Sequence, residues 1–306
     1  MIALDNFHRI ALEDQELFQN YYQRYPPVHS DYVFTNMISW LAYAQYHVAE
    51  VNKHLLIMTK IKGNTRFRPP IGKPDKTLML DLFQLAIDEG CKDPFGLIDN
   101  QSKTWITKQF PQLPLYSHRD FFDYVYRAED LAELSGGEYG KIRNRLNKFV
   151  RNYAYTTEDV TEVNFEEIKE FLQRWCLWRD CESNPFLEHE HQAILYAMDH
   201  FFDLGLSGIC IRIHDQIEAL AVFEQMNPDT FVVHFEKGSP DYDGIYKAIN
   251  WETAKQIRAK AFYINRESDM GEPGLRKAKL SYRPHHMIEV YHALKNDIAG
   301  QLSHTL

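Results

Sequence analysis

In the second half of the chain the apolar positions change period repeatedly, and each change marks an element. Phe121 to Tyr126 reads as a strand, whereas Ile142, Leu146, Phe149 and Tyr153 recur at helical spacing. Phe165 to Asp180 forms a helical pattern, with Asn164 as N-cap and Glu167 at the capping-box position. Leu187 to Leu204 is a second helix, stopped at Gly205. Three strand-like runs follow, Gly208 to His214, Ile217 to Met226 and Thr230 to Lys237. The turns His214-Asp215-Gln216 and Asn227-Pro228-Asp229 join them, so antiparallel hairpins are expected. A helix from Gly244 to Lys260, a strand from Ala261 to Ile264, a helix opened by Gly274 and a strand from Met287 to His292 complete this half.

The first half repeats the order in shorter form. Helices at Glu13 to Arg24 and Asp31 to Gln45 precede strands at His47 to Val51, Leu55 to Ile61 and Thr65 to Arg68. A helix from Thr77 to Glu89, a strand from Phe95 to Ile98 and a helix from Ser102 to Phe110 follow. Pro111 to Ser117 has prolines and little periodicity, and reads as a linker. The order of helices, meander strands, helix, strand, helix and strand is that of the acyl-CoA N-acyltransferase (GNAT) fold. The expected class is therefore α/β (α+β), with two tandem GNAT-like domains at 1–117 and 118–306. Each is a mixed, mostly antiparallel sheet flanked by helices. Element order alone supports the repeat, because the halves share no residue-level similarity.

Composition narrows the options. A length of 306 residues suits two domains, and 44% hydrophobic residues suffice for real cores. Thirty-four basic against 43 acidic residues give a net charge of −9, which argues against a nucleic-acid coat protein. Cys91, Cys176, Cys181 and Cys210 lack metal or secreted-domain spacing and read as reduced thiols. There is no signal-like start and no apolar run of about 18 residues, so a cytoplasmic protein without a transmembrane segment is expected.

The densest polar stretch, Asn265 to Pro284, follows the apolar run at Ala261 to Ile264, where α/β folds place chemistry. Arg266 suits a carboxylate or phosphate, and Glu267 or Asp269 an ammonium. Asn265 belongs to the same group, and Lys279 with Arg283 suits an anion. In the preceding strand, alternation sets Phe231, Val233 and Phe235 on one face and Val232, His234 and Glu236 on the other. Ionisable groups are costly on a buried strand, which nominates Glu236 as general base and His234 as its orienting neighbour or substitute. A structural ion pair is the competing account. Tyr246 is placed to donate to a leaving group, with packing as the alternative. The turn Gly238 to Gly244 sits where a GNAT protein cradles pyrophosphate, but Pro240 removes a donor and Asp241 and Asp243 repel phosphate. Lys141, Arg145 and Lys148 share one helix flank suited to nucleic-acid phosphates or a nucleotide donor, or simply to solvent. His189 and His191 are two apart and do not share a helix face, so no metal is expected.

The run Asp123 to Phe149, His234-Phe235-Glu236-Lys237, Gly244-Ile245-Tyr246, Asn265 to Tyr282 and the early Asp31 to Trp40 together resemble the family of the phosphatidylglycerol lysyltransferase C-terminal domain. The resemblance covers most of the chain. It implies tandem GNAT-like domains and, in membrane-anchored relatives, transfer of an aminoacyl group from charged tRNA to a lipid. This chain resembles a soluble stand-alone branch. The expected function is acyl or aminoacyl transfer to an amine or hydroxyl, on a small-molecule or peptide acceptor. No cofactor is expected to be tightly bound, and acyl-CoA or aminoacyl-tRNA is the co-substrate. The alternatives are an acetyl-CoA-dependent N-acetyltransferase and a non-catalytic pair that binds a small molecule or peptide.

Overall fold

Turn chemistry and alternation build the centre of the C-terminal half. In the computed structural model, which describes residues 2–89 and 92–304, Ser207–Ile213, Gln216–Asn227 and Thr230–Gly238 form an antiparallel meander. His214 and Asp215 both take positive φ, 47° and 64°, which matches the twist of a two-residue hairpin. The complete sheet runs His286–Ile288, Asp123–Arg127, Tyr263–Asn265, Thr230–Gly238, Gln216–Asn227, Ser207–Ile213, Thr156–Asp159. Tyr263–Asn265 pairs with Thr230–Gly238 in parallel, from Thr230 opposite Tyr263 to Val232 opposite Asn265. Beyond that register the longer strand continues to Gly238 without this neighbour, and a seam opens between them.

One face of this sheet is covered by the helices Gly140–Asn152 and Ile245–Ile257. Ile142, Leu146 and Phe149 from the first and Ala248, Ile249 and Ile257 from the second pack with Ala221, Phe223, Phe231, Val233 and Ile264. Burial of these apolar groups is the main stabilising term for the unit.

The other sheet has the order His8–Arg9, Gln45–Val51, His54–Ile61, Asn64–Phe67, Phe95–Asp99, Val290–Ala293, Tyr116–Ser117. Its core gathers Leu56, Met58, Phe67, Phe95 and Phe110 with Leu82 and Phe83 of the helix Lys76–Asp88. Asp75 caps that helix by accepting from the Leu78 N–H at 3.0 Å.

Several expectations are corrected. The chain divides into a unit of residues 123–287 and a unit formed by the segments up to Phe122 and from Ile288 onward, not at 117/118. The expected final strand at Met287 to His292 is two strands, His286–Ile288 in one sheet and Val290–Ala293 in the other. Val290–Ala293 pairs with Phe95–Asp99 and with Tyr116–Ser117, which ties the C-terminal end to the first unit and makes part of the expected linker a strand. The expected helix from Asp31 to Gln45 is shorter, Phe34–Ser39, preceded by a 3-10 turn at Ser30–Tyr32. Asn164 precedes the helix Phe165–Arg179, but its side chain accepts from Thr161 and donates to Glu158, while Glu167 pairs with Arg212 at 2.7 Å. Cys176 and Cys181 are joined as a disulfide instead of being free thiols; Cys210 is buried and free, and Cys91 lies outside the described residues. Among the described residues no helix is long and apolar enough to cross a membrane.

Candidate functional site

The seam is bridged by charge. A register shift sets Val233 opposite Phe223 and Phe235 opposite Val222, so His234 is skipped and forms a bulge. Alternation therefore breaks at His234, and Glu236, opposite Ala221, turns toward the helix Ile245–Ile257. The expected face shared by His234 and Glu236 does not exist.

His234 instead lies between two carboxylates, with Nε2 2.9 Å from Glu224 and Nδ1 3.0 Å from Glu267. Burial alone would lower its pKa, but the two acidic partners outweigh burial and push it up to about 9. A doubly engaged imidazolium has no free nitrogen, so it neither orients Glu236 nor replaces it as a base.

Glu236 pairs with Arg266, whose Nε donates to Oε2 at 3.1 Å and whose Nη2 donates to the same oxygen. Asn250 Nδ2 donates to Oε1 at 3.0 Å. The Glu236 and Arg266 side chains keep 13% and 14% exposure, so the pair is mostly desolvated yet reachable from solvent. The guanidinium lies 4.9 Å from the Tyr282 ring centroid and 5.9 Å from that of Tyr126. Burial disfavours its charge, but Glu236, Tyr126 and Tyr282 more than offset this and hold it protonated. Lys247 sits 4.4 Å over the other ring contact of this group, Tyr282, and its amine is pushed down to about 8 by burial and then by the Arg266 charge. Two atoms beside Glu236 are buried without a hydrogen-bond partner, Arg266 Nη1 and Asn250 Oδ1.

The rest of the polar segment holds the loop in place. Asn265 is buried, donates to Asp123 at 2.8 Å and accepts from the Glu267 N–H at 2.7 Å. Asp269 accepts from Tyr124, from the Gly271 N–H at 2.9 Å and from Arg276 at 2.8 Å. Burial would raise its pKa, but Arg276 and Tyr124 hold the carboxyl far below the usual range. Neither Asp269 nor Glu267, already bound to His234, is left to receive an ammonium. Lys279 donates to the carbonyls of Arg266, Glu267 and Ser268 at 2.5, 3.2 and 2.6 Å, so its N–H groups close the loop and do not hold an anion. Arg283 is exposed and has φ 56°; it does not join Lys279.

The Tyr246 hydroxyl is engaged by Trp175 instead of by Glu236. It accepts from Trp175 Nε1 at 3.2 Å, in a cluster where Lys237 lies 4.1 Å over Trp175 and pairs with Glu190 at 2.7 Å. On the basic flank, Arg145 and Lys148 both bind Asp243 of the Gly238 to Gly244 turn, at 2.8 and 3.0 Å, while Lys141 is exposed. Gly244 needs its φ of 100°, and a Cβ there would sit 3.0 Å from Arg145 O and Phe149 Cβ. In the same turn the Ser239 N–H donates to Glu218 O at 2.8 Å and the Asp241 N–H to Ser239 Oγ at 3.4 Å.

The geometry thus retains Glu236 and Arg266 from the sequence candidates and adds Lys247, Asn250 and Tyr282. Asn250 left one signal in the sequence, a carboxamide on the apolar stripe of Ala248, Ile249 and Ala254. Lys247 left none.

Residues 22–294 match the model of the phosphatidylglycerol lysyltransferase C-terminal family. The chain belongs to that family. The lysyltransferase-family chain is 25% identical over 179 residues to an uncharacterised protein of Mycoplasmoides gallisepticum. That match takes in 57% of this chain and 56% of the relative, so the chain spans about half the length of the curated relative it matches. Among solved structures, a conserved protein of unknown function from Bacteroides thetaiotaomicron VPI-5482 superposes with a TM-score of 0.86 at 29% identity, covering 94% of this chain and 98% of that one. The C-terminal domain of an Agrobacterium fabrum protein assigned as a lysylphosphatidylglycerol synthetase gives a TM-score of 0.65 at 15% identity, covering 96% of both chains. That second likeness is one of fold. The expected architecture of tandem GNAT-like domains is the one observed.

Proposed function

We propose that this chain is an aminoacyltransferase that moves an aminoacyl group from aminoacyl-tRNA to an amine or hydroxyl on a small-molecule or peptide acceptor. The observation that carries the reading is the seam beyond Val232 and Asn265, where the Glu236–Arg266 pair lies beside the half-buried amine of Lys247. Family membership supports the transferase kind of chemistry. In the proposed step the acceptor nitrogen or oxygen attacks the ester carbonyl carbon, and the bond from that carbon to the tRNA ribose oxygen breaks. Neutral Lys247, whose pKa of about 8 leaves much of it unprotonated in mildly alkaline solution, takes the acceptor's proton and returns it to the departing oxygen. Arg266 Nη1 supplies the N–H that stabilises the carbonyl oxygen as its charge grows. Glu236 keeps the guanidinium aimed, since its two oxygens are already engaged by Asn250 and Arg266. This replaces Glu236 as general base.

The choice of donor rests on the turn before the helix Ile245–Ile257. Pro240 has no N–H, the Ser239 and Asp241 N–H groups are engaged, and Asp243 occupies the place of an anion beside Arg145 and Lys148. A pyrophosphate cradle would need those donors. This argues for charged tRNA over acyl-CoA, with Lys141, Arg145 and Lys148 meeting RNA phosphates, and for a place in the cytoplasm where charged tRNA is made. Filter retention of charged and uncharged tRNA, with calorimetric titration of acetyl-CoA, tests the reading. Charged tRNA is expected to bind more tightly than uncharged, and Arg266→Ala to remove the difference. Binding of acetyl-CoA without preference for charged tRNA would assign the N-acetyltransferase chemistry instead. Binding of none of them would leave a non-catalytic pair.

A further inference from the structure

Glu236 settles the orientation of its neighbour. A carboxylate accepts and does not donate, so the Asn250 amide must turn Nδ2 toward Oε1, and Oδ1 is then the end directed elsewhere. Asn250 is 3% exposed, and Oδ1 has no donor. On the other side of the same carboxylate, Nη1 of Arg266 is a buried donor without an acceptor. Orphaned buried polar atoms are rare, because each forfeits the hydrogen bonds it would make in water. Here one acceptor and one donor flank a single anchoring group, at a place that solvent reaches through the partly exposed Glu236 and Arg266 side chains. Such a pair matches a ligand fragment that offers an N–H and a carbonyl oxygen a short distance apart.

An α-aminoacyl ester is such a fragment. We infer that Asn250 Oδ1 accepts from the free α-amine of the donor while Arg266 Nη1 donates to its ester carbonyl, so that the site selects donors whose α-amine is unblocked. Asn250 acts here in specificity and takes no part in the proton transfer. The inference rests on the aminoacyltransferase reading but is separable from it.

The experiment uses the full chain and three preparations of one tRNA pool: aminoacylated, aminoacylated and then N-acetylated, and deacylated. Retention is measured at fixed salt across a protein titration. The free aminoacyl pool is expected to bind at least about 10-fold more tightly than the N-acetylated pool, because the acetyl group adds bulk at the nitrogen that meets the buried Asn250 Oδ1, even though one N–H remains. Asn250→Ala is expected to bring those two pools together and to leave deacylated tRNA unchanged. The comparison on the unaltered protein needs no variant, so poor folding of Asn250→Ala does not remove the test. Equal binding of free and N-acetylated pools, both tighter than deacylated tRNA, overturns the α-amine inference and leaves the transferase reading intact. Equal binding of all three pools overturns both.

Discussion

His234 offers the sharpest physical test of the seam. The imidazole is buried between Glu224 and Glu267, and its pKa rises from the ordinary 6.5 to about 9. At about 1.4 kcal/mol per unit, that shift is worth on the order of 3 kcal/mol of pH-dependent stability. Below pH 6.5 both folded and unfolded chains carry the proton, and the contribution is whole. Between 6.5 and about 9 only the folded chain holds it, so the unfolded state binds fewer protons and stability falls as pH rises. Above about 9 the contribution is gone. Lys247 and Lys279 act in the opposite sense, because burial lowers both amines to about 8 and favours their neutral forms in the folded chain. Their effect begins near pH 8, and the difference between wild type and a His234 variant cancels the other titrating groups. Urea denaturation between about pH 6 and pH 9, on wild type and His234→Gln, isolates the term. The gap between the two proteins should be largest near pH 6 and shrink toward pH 9. A gap that stays constant with pH would falsify the imidazolium clamp.

Glu236→Gln strips Arg266 of its charge partner in a mostly desolvated place. A loss of about 3 kcal/mol in urea stability is expected, at the lower end for broken buried pairs because some exposure remains; an unmoved urea midpoint contradicts the pairing. Lys247→Met should lower aminoacyl transfer by about 100-fold or more. In wild type the rate should rise through a limb near pH 8, as the neutral amine accumulates, and level off above it. Persistence of that limb in the variant removes Lys247 as the base. Asp243→Asn releases Arg145 and Lys148, so tRNA should bind more tightly at low salt and with a steeper salt dependence. An unchanged salt slope means the flank does not meet RNA.

The hairpins were legible because alternation and turn residues agree: His214 and Asp215 take the conformations a tight turn demands. The stripe of Ile142, Leu146 and Phe149 was legible for the same reason, since period and burial coincide. Glu236 and Arg266 were both chosen from sequence, as ionisable groups beside buried strands. Their direct pairing was not visible, because it depends on a bulge at His234 that no residue type announces. Strict alternation put His234 and Glu236 together; one unpaired residue sends them to different partners. The density of charge in the polar run from Asn265 suggests a binding loop. Composition does not reveal which charges satisfy each other, and Asp269 with Arg276, and Lys279 with three carbonyls, turn out to fasten the loop. The strand expected at Met287 to His292 carries Met287, Ile288, Val290 and Tyr291 in one short run, and periodicity could not show that its halves serve different sheets.

Following labelled amino acid off tRNA is the decisive assay for aminoacyl transfer at the seam. Tritium-labelled aminoacyl-tRNA is incubated with the protein and with the RNA-free small-molecule and peptide fraction of a cell extract, and label in tRNA-free product is counted over time. With wild type, label is expected to leave tRNA for an amide or ester product, and Lys247→Met and Arg266→Ala are expected to abolish the transfer. Label that stays on tRNA, or that leaves equally fast with both variants, contradicts aminoacyl transfer at the seam.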